Sequence, residues 1–236
     1  MRNTLTLISI LFTFNASHAQ KTEFNASLNS GLFSFRGESA SKSSIFFIAT
    51  GAENHYTNNP YGSKNGLSYG ISAGIKRPAK NNLLIGLDAG YEMLRSKIII
   101  DGISLSTYSS SIVQATGHTY LNSSFINLFP YGGYRFSCRN NFYIDLTGGF
   151  DLGFCTNSRE KSTATDPNGK KYEFSINRKT INTDIRTRIQ ITAHYKMIGI
   201  YAGYSAGLVN YKSGYVGGVN EAYSRMLRFG TTFTIK

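Results

Sequence analysis

"FYIDLTGGFDLGF", residues 142–154, runs without a turn signal and alternates like a strand. Phe142, Ile144, Leu146, Phe150, Leu152 and Phe154 share one parity, while Asp145 and Asp151 fall on the other. A segment greasy on one side and charged on the other can sit in two places. In a soluble sandwich the apolar face turns inward, but strands there run about five to six residues. Crossing a bilayer takes about nine to eleven tilted residues, with the apolar face outward. The length of 142–154 favours the bilayer.

The pattern recurs along the chain. "LSYGISAGIKR" (67–77), "LLIGLDAGYEMLR" (83–95), "TDIRTRIQITAHY" (183–195) and "IGIYAGYSAGLVNY" (198–211) alternate in the same way. Three further segments are less regular: 23–35, which blurs at Phe33 and Phe35; 122–136, which contains Pro130; and 225–236. The total is eight long strands. Their connections alternate between tight turns (77–82, 137–141, 196–197) and long polar loops (36–66, 97–118, 155–182, 212–222). Backbone groups in lipid must all be paired, and strands achieve that only in a closed barrel. The expected fold is an all-β, eight-stranded antiparallel up-and-down transmembrane β-barrel with short periplasmic turns and long extracellular loops. Hairpin signals in "IIIDGISL" (98–105) and "TDPNGKKY" (165–172) predict ribbons that rise beyond the membrane.

The amino terminus has a different character. Arg2, the apolar run "LTLISILFTF" and a small-residue pair at Ser17 and Ala19 describe a secretory signal over 1–19, leaving 20–236 as the barrel domain. Composition agrees with strands: 16 Tyr, 16 Phe and 24 Gly, with no Trp. The net charge of +12 would suit nucleic acid in another compartment, but an exported chain more readily meets anionic lipid or polysaccharide. Cys138 and Cys155 flank the opening strand, whose ends lie roughly 40 Å apart if extended. A disulfide needs Cα atoms within about 7 Å, so none is expected between them.

If the apolar parity faces lipid, the polar parity lines the lumen. The inward acids are Asp88, Glu92, Asp145, Asp151 and Asp184; the inward bases are Arg135, Arg186, Arg188 and Arg228. Eight strands leave room for side chains rather than a wide channel, so a packed ion-pair network is expected, with a narrow ion path as the alternative. Asp151 is expected to meet Arg186 or Arg188, and Arg135 to approach Asp145. A missing donor inside a closed barrel is awkward, so a bulge is expected near residues 129–131 around Pro130.

Three stretches carry a family resemblance. "NPYGSKNGLSYGISAGIKR" (59–77) sets an Asn-Pro-aromatic-Gly loop before a strand, "FINLFPYGGYRF" (125–136) has a mid-strand proline, and "YKMIGIYAGYSAGLVNY" (195–211) couples a two-residue turn to a Gly/Tyr strand. Together these resemble the small outer-membrane β-barrel proteins of the porin family, PorT-like, of Bacteroidetes-type bacteria. The resemblance implies an integral protein of the outer membrane with both termini periplasmic, handled by the export and barrel-assembly machinery during biogenesis. It implies no catalytic residues and no cofactor.

Chemistry-bearing patterns are few. His55, His118 and His194 lack metal-ligand spacing. His118 with Ser123 and Asp101 could in principle form a hydrolase triad near the outer rim. The favoured function is a non-enzymatic barrel with a structural or loop-mediated surface-binding role and outer-membrane lipid around it. The candidate surface for an anionic ligand is the basic run Arg159, Lys161, Lys170, Lys171, Arg178 and Lys179. A narrow porin-like channel for small solutes and an outer-rim lipid hydrolase are the rival functions.

Overall fold

The computed structural model describes residues 22–48, 55–104, 112–138, 141–214 and 220–235. The predicted signal segment, 1–19, lies outside the described residues. The described residues form eleven strands: β1 (Glu23–Arg36), β2 (Ser43–Phe47), β3 (Tyr56–Thr57), β4 (Lys64–Pro78), β5 (Leu83–Ser104), β6 (Ile112–Ser137), β7 (Phe142–Thr165), β8 (Lys171–Asn177), β9 (Thr183–Tyr195), β10 (Ile198–Asn210) and β11 (Tyr223–Ile235). Eight of them, β1, β4, β5, β6, β7, β9, β10 and β11, close into an antiparallel ring. Closure is between first and last strands, from Phe24 opposite Ile235 to Arg36 opposite Tyr223. Ring closure leaves no barrel edge, the condition a strand must meet to cross lipid.

Side-chain direction matches the expected parity. Leu28, Ile71, Ile85, Phe150, Ile189 and Ile200 point outward, and Ile85 is 73% exposed. Asp145, Asp151, Arg186 and Arg228 point inward and are buried. A belt of exposed aliphatic and aromatic side chains around a polar interior is stable only when hydrocarbon surrounds it. The fold is therefore an eight-stranded transmembrane β-barrel. One end carries tight turns, with Asn82, Asn141 and Lys196 at positive φ. The other end carries the long connections.

Three strands continue well past the belt at the loop end, and there the faces exchange character. Ile98 of β5 is buried inward, and above it Ile100 and Ile103 of β5, Ala115 of β6 and Ala164 of β7 form an inward cluster with Phe46 of β2, flanked by Tyr172 and Phe174 of β8. The outward side of the same ribbon is polar. In lipid the barrel is apolar outside; above it, in water, the ribbon is apolar inside. The segments expected as loops 97–118 and 155–182 are thus largely strand.

Two expectations are corrected. Asp101-Gly102 is no hairpin turn: β5 runs through it to Ser104, with a register shift between Ile100 and Gly102. Pairing to β6, and packing of Gly102 against Ile112 and Ile45, override the local turn propensity. By contrast Asp166–Gly169 does turn, with Gly169 at positive φ, and joins β7 to β8. The bulge expected at Pro130 is also absent. β6 pairs β5 in continuous register through Pro130, and the ladder to β7 breaks between Leu128–Leu152 and Tyr131–Gly149 but resumes unshifted. One missing donor interrupts a ladder without requiring an extra residue, and Gly149 permits the close approach opposite, where a side chain would come within 2.1 Å of the Pro130 carbonyl.

Candidate functional site

The lumen is filled from the turn end upward. Arg135 sits near the end of β6, where alternation points it inward. It donates Nε and Nη2 to Asp145 at 2.7 and 2.9 Å and Nη1 and Nη2 to Glu23 at 2.9 Å each. Lys76 donates to Asp145 at 2.9 Å and lies 3.6 Å from Glu23. Tyr143 stacks on the His194 ring at 4.5 Å, with the Arg135 guanidinium 4.0 Å over its face. Two bases thus meet two acids in a closed cluster, each acid shared.

A second cluster lies at mid-barrel. Arg228 of β11 reaches Glu92 and Asp151, both at 2.7 Å, and donates Nε to Ser205 at 2.7 Å. Arg186 of β9 lies 2.6 Å from Glu92, 3.3 Å from Asp151 and 3.7 Å from Asp184. Asp184 also accepts from the Tyr211 and Ser224 hydroxyls at 2.8 and 2.9 Å. Removing such charges from water is costly unless every one is paired, and here each acid has cationic or hydroxyl donors.

The structure brings all nine predicted lumen residues into hydrogen-bonded or ion-paired positions, seven of them in ion pairs; among the described residues Asp88 and Arg188 have hydrogen bonds only. Asp151 meets Arg186 as well as Arg228, Arg135 meets Asp145, and Asp88 accepts from Asn25 at 3.0 Å. Arg188 forms no ion pair among the described residues. Its guanidinium lies 4.2 Å over the Phe129 ring and it donates to Gln190. Glu23 and Lys76 were missing from the sequence-derived set, though inward parity on β1 and β4 was the signal that could have found them.

Above the charges an aromatic plug closes the loop end. Phe35 makes edge-on contacts with Phe33, Tyr61 and Tyr211 at centroid distances of 5.2, 5.1 and 4.9 Å. Leu94, Leu121, Phe125 and Met226 complete the buried cluster. The irregularity at Phe33 and Phe35 is thus the lumen turning apolar. Tyr61 belongs to the Asn-Pro-Tyr-Gly stretch before β4. Asn59 accepts from the Tyr61 amide at 3.1 Å and donates to the Ser39 carbonyl at 2.6 Å. A side chain at Gly62 would come within 2.1 Å of the Lys97 carbonyl, so glycine permits this close approach to β5. Two voids among these side chains measure about 20 and 30 Å³, room for little more than a water or two each.

The predicted basic run is split by strand alternation. Arg159 and Lys161 project outward from β7. Lys170 lies 5.1 Å over the Tyr172 ring, Lys171 pairs with Glu173 at 2.5 Å, and Lys179 is exposed. Arg178 instead turns inward, 3.1 Å from Glu160, and donates to the Thr57 carbonyl at 2.8 Å. Glu160 is fully buried on the ribbon above the belt and accepts from the Thr57 amide at 2.8 Å. Burial pushes its carboxyl up, against the opposing pull of Arg178 and Thr57. The trio pins β3 to β7 and to the segment after β8. Burial and the Lys97 ammonium push His118 down.

The hydrolase geometry is not assembled. His118 faces outward on β6, whereas Ser123 is buried on the opposite face with its hydroxyl 2.9 Å from Ser158. No group of three His, Cys, Asp or Glu suited to a metal occurs among the described residues. Cys138 and Cys155 are free thiols.

No family model matches the chain, and no curated protein matches it. Solved structures with a similar chain path are outer-membrane barrels. Ail, the attachment invasion locus protein of Yersinia pestis, solved with the heparin analogue sucrose octasulfate, is 10% identical (TM-score 0.35) over 91% of this chain and 99% of its own. Neisserial surface protein A is 15% identical (TM-score 0.36) over 89% and 96%. The translocator domain of the autotransporter NalP from Neisseria meningitidis is 12% identical (TM-score 0.29) over 98% and 94%. At these values the likeness carries no argument about function. The ring of hydrogen-bonded strands and its outward apolar belt are what make this chain an eight-stranded transmembrane β-barrel.

Proposed function

We propose that this chain is a non-enzymatic integral outer-membrane barrel, closed to solutes, whose working surface is its loop end. The turn end and both termini lie in the periplasm in this reading. One observation supports it: two buried ion-pair clusters and an aromatic plug are stacked along the lumen among the described residues, and two voids between their side chains measure about 20 and 30 Å³. A conducting barrel needs a continuous wet path, and a protein whose interior is filled can meet partners only on its outside. Affiliation with the small porin-family, PorT-like barrels is part of the proposal, supported by the Asn-Pro-Tyr-Gly loop and the mid-strand proline. Conductance across a planar bilayer tests it, using refolded barrel whose gel mobility shifts on heating. Silence is expected; discrete steps would make the inward arginines and aspartates the lining of a pore instead.

A further inference from the structure

On the ribbon of β5, β6 and β7, two successive outward rows carry four cations. Register aligns Lys97, Tyr120 and Lys161 in one row, and Arg95, Asn122 and Arg159 in the row nearer the belt. The Arg95 guanidinium stands 5.3 Å and the Lys97 ammonium 5.8 Å from the Tyr120 ring centre, and His118 meets that ring edge-on at 4.9 Å. Arg95 donates to Asn122 at 2.7 Å. None of the four cations has an ion-pair partner among the described residues; Glu173, at the far rim, is held by Lys171. Beside Tyr120 an open groove of about 590 Å³ is bounded by His118, Tyr120, Arg159, Lys161, Glu173 and Ser175, with Arg95 and Lys97 outside its lining.

Height selects the ligand. On β5 the outward residue after Met93 is Arg95, and on β6 and β7 the belt ends at the paired Ile126 and Phe154. Between belt and cations, Tyr91 donates its hydroxyl to Ser124 at 2.8 Å, an aromatic polar tip of the kind that marks a bilayer boundary. At about 3.4 Å per residue and a tilt near 40°, Arg95 stands roughly 5 Å above Met93, and Asn122 roughly 10 Å above Ile126. Those heights span the headgroup layer and the zone just outside it. Four like charges in so small an area repel one another, and the anions held at that height are lipid phosphates.

We propose that this face binds the phosphates of a phosphorylated glycolipid in the leaflet at the loop end. Arg95 and Arg159 offer planar forks for phosphate oxygens, Lys97 and Lys161 add point charges, and the groove beside Tyr120 accommodates the sugar. The inference deepens the proposed function, since it requires the loop end to face such a leaflet.

The test uses the full barrel in phosphatidylcholine nanodiscs doped with diphosphoryl lipid A, with retained lipid counted by native mass spectrometry after gentle release. The wild type should hold diphosphoryl lipid A and release the dephosphorylated form. Combined Arg95→Gln, Lys97→Gln, Arg159→Gln and Lys161→Gln, in barrels that still show the heat-dependent gel shift, should cut retention at least tenfold. Lys170→Gln with Lys179→Gln, outside the cluster, should leave it unchanged. Equal retention by the quadruple variant, indifference to the lipid phosphates, or equal displacement by phosphatidylglycerol would overturn the assignment. Conductance of the same preparation is read separately, so a leaking barrel that keeps the lipid and a silent one that loses it point to different failures.

Discussion

Arg228 and Arg188 are both arginines on the inward parity, yet their surroundings set them apart. Arg228 bridges Glu92 and Asp151, so Arg228→Ala leaves two buried carboxylates to share Arg186 alone and should cost about 3–5 kcal/mol. Arg188 has no ion-pair partner among the described residues, and Arg188→Met should stay within about 1 kcal/mol because no carboxylate loses a contacting cation. Denaturation midpoints in lipid vesicles, followed by gel mobility because the chain has no Trp, distinguish the two. Parity alone made the lumen set legible, since inside or outside is a period-two property. Which cation meets which acid was legible only in part, because it depends on reach across the barrel between strands far apart in sequence. Arg178 marks the limit of composition: it belongs to a basic run by spacing and to Glu160 by geometry.

Glu160 gives a titratable handle at the same scale. Its carboxyl is held above its usual value of 4.5 by burial, so the folded state binds the proton more tightly than the unfolded chain. Its contribution to stability is therefore fully present below 4.5 and is lost as pH rises through the higher folded value. After correction for intrinsic exchange, the Thr57 amide should be better protected at about pH 4 than at about pH 8. Glu160→Gln should flatten that profile; an unchanged slope would show that another group sets it.

At the scale of the element, the strands were legible where one face met lipid and hidden where both solvents changed. The alternation of 83–95 continues through Ile98 and Ile100, but with apolar residues now on the inward parity. A pattern that inverts without a bulge looks like a strand ending. Glycine placement shows the same inside–outside logic. A side chain at Gly86 on β5 would strike the Tyr131 ring at 2.3 Å, whereas one at Gly132 on β6 meets only a carbonyl at 3.8 Å. Gly86→Val should therefore destabilise by about 1–3 kcal/mol through overpacking, and Gly132→Val should be near neutral. Melting temperatures from the gel-mobility shift would reverse that reading if the two variants behaved alike.

For the whole molecule, two apolar clusters sit at different levels, one plugging the barrel around Phe35 and one inside the ribbon around Phe46. Phe46→Ala empties a fully buried site and should cost about 3–5 kcal/mol within the ribbon. Proteolysis there should accelerate while the heat-dependent gel shift of the barrel persists. A simultaneous loss of both would mean that the two levels unfold as one. Barrel architecture was legible from strand length and alternating connection length; the ribbon's closure by β2 and β3 was not, because β2 pairs in parallel with β5 and no short-range signal announces a parallel partner.

The seam between β1 and β11 joins residues far apart along the chain: Ala26 accepts from the Thr232 hydroxyl 206 positions on, and Phe24 pairs with Ile235 beyond it. Time therefore enters the structure through its topology. Nothing that happens early in synthesis can shut the cylinder, for the strand that completes it is the last to be delivered. Until then the nascent sheet has two raw margins, each able to template a neighbour's backbone, and contacts between such distant partners form slowly. The barrel's most exposed interval is thus the one after seven of its strands are in place and before β11 has met β1.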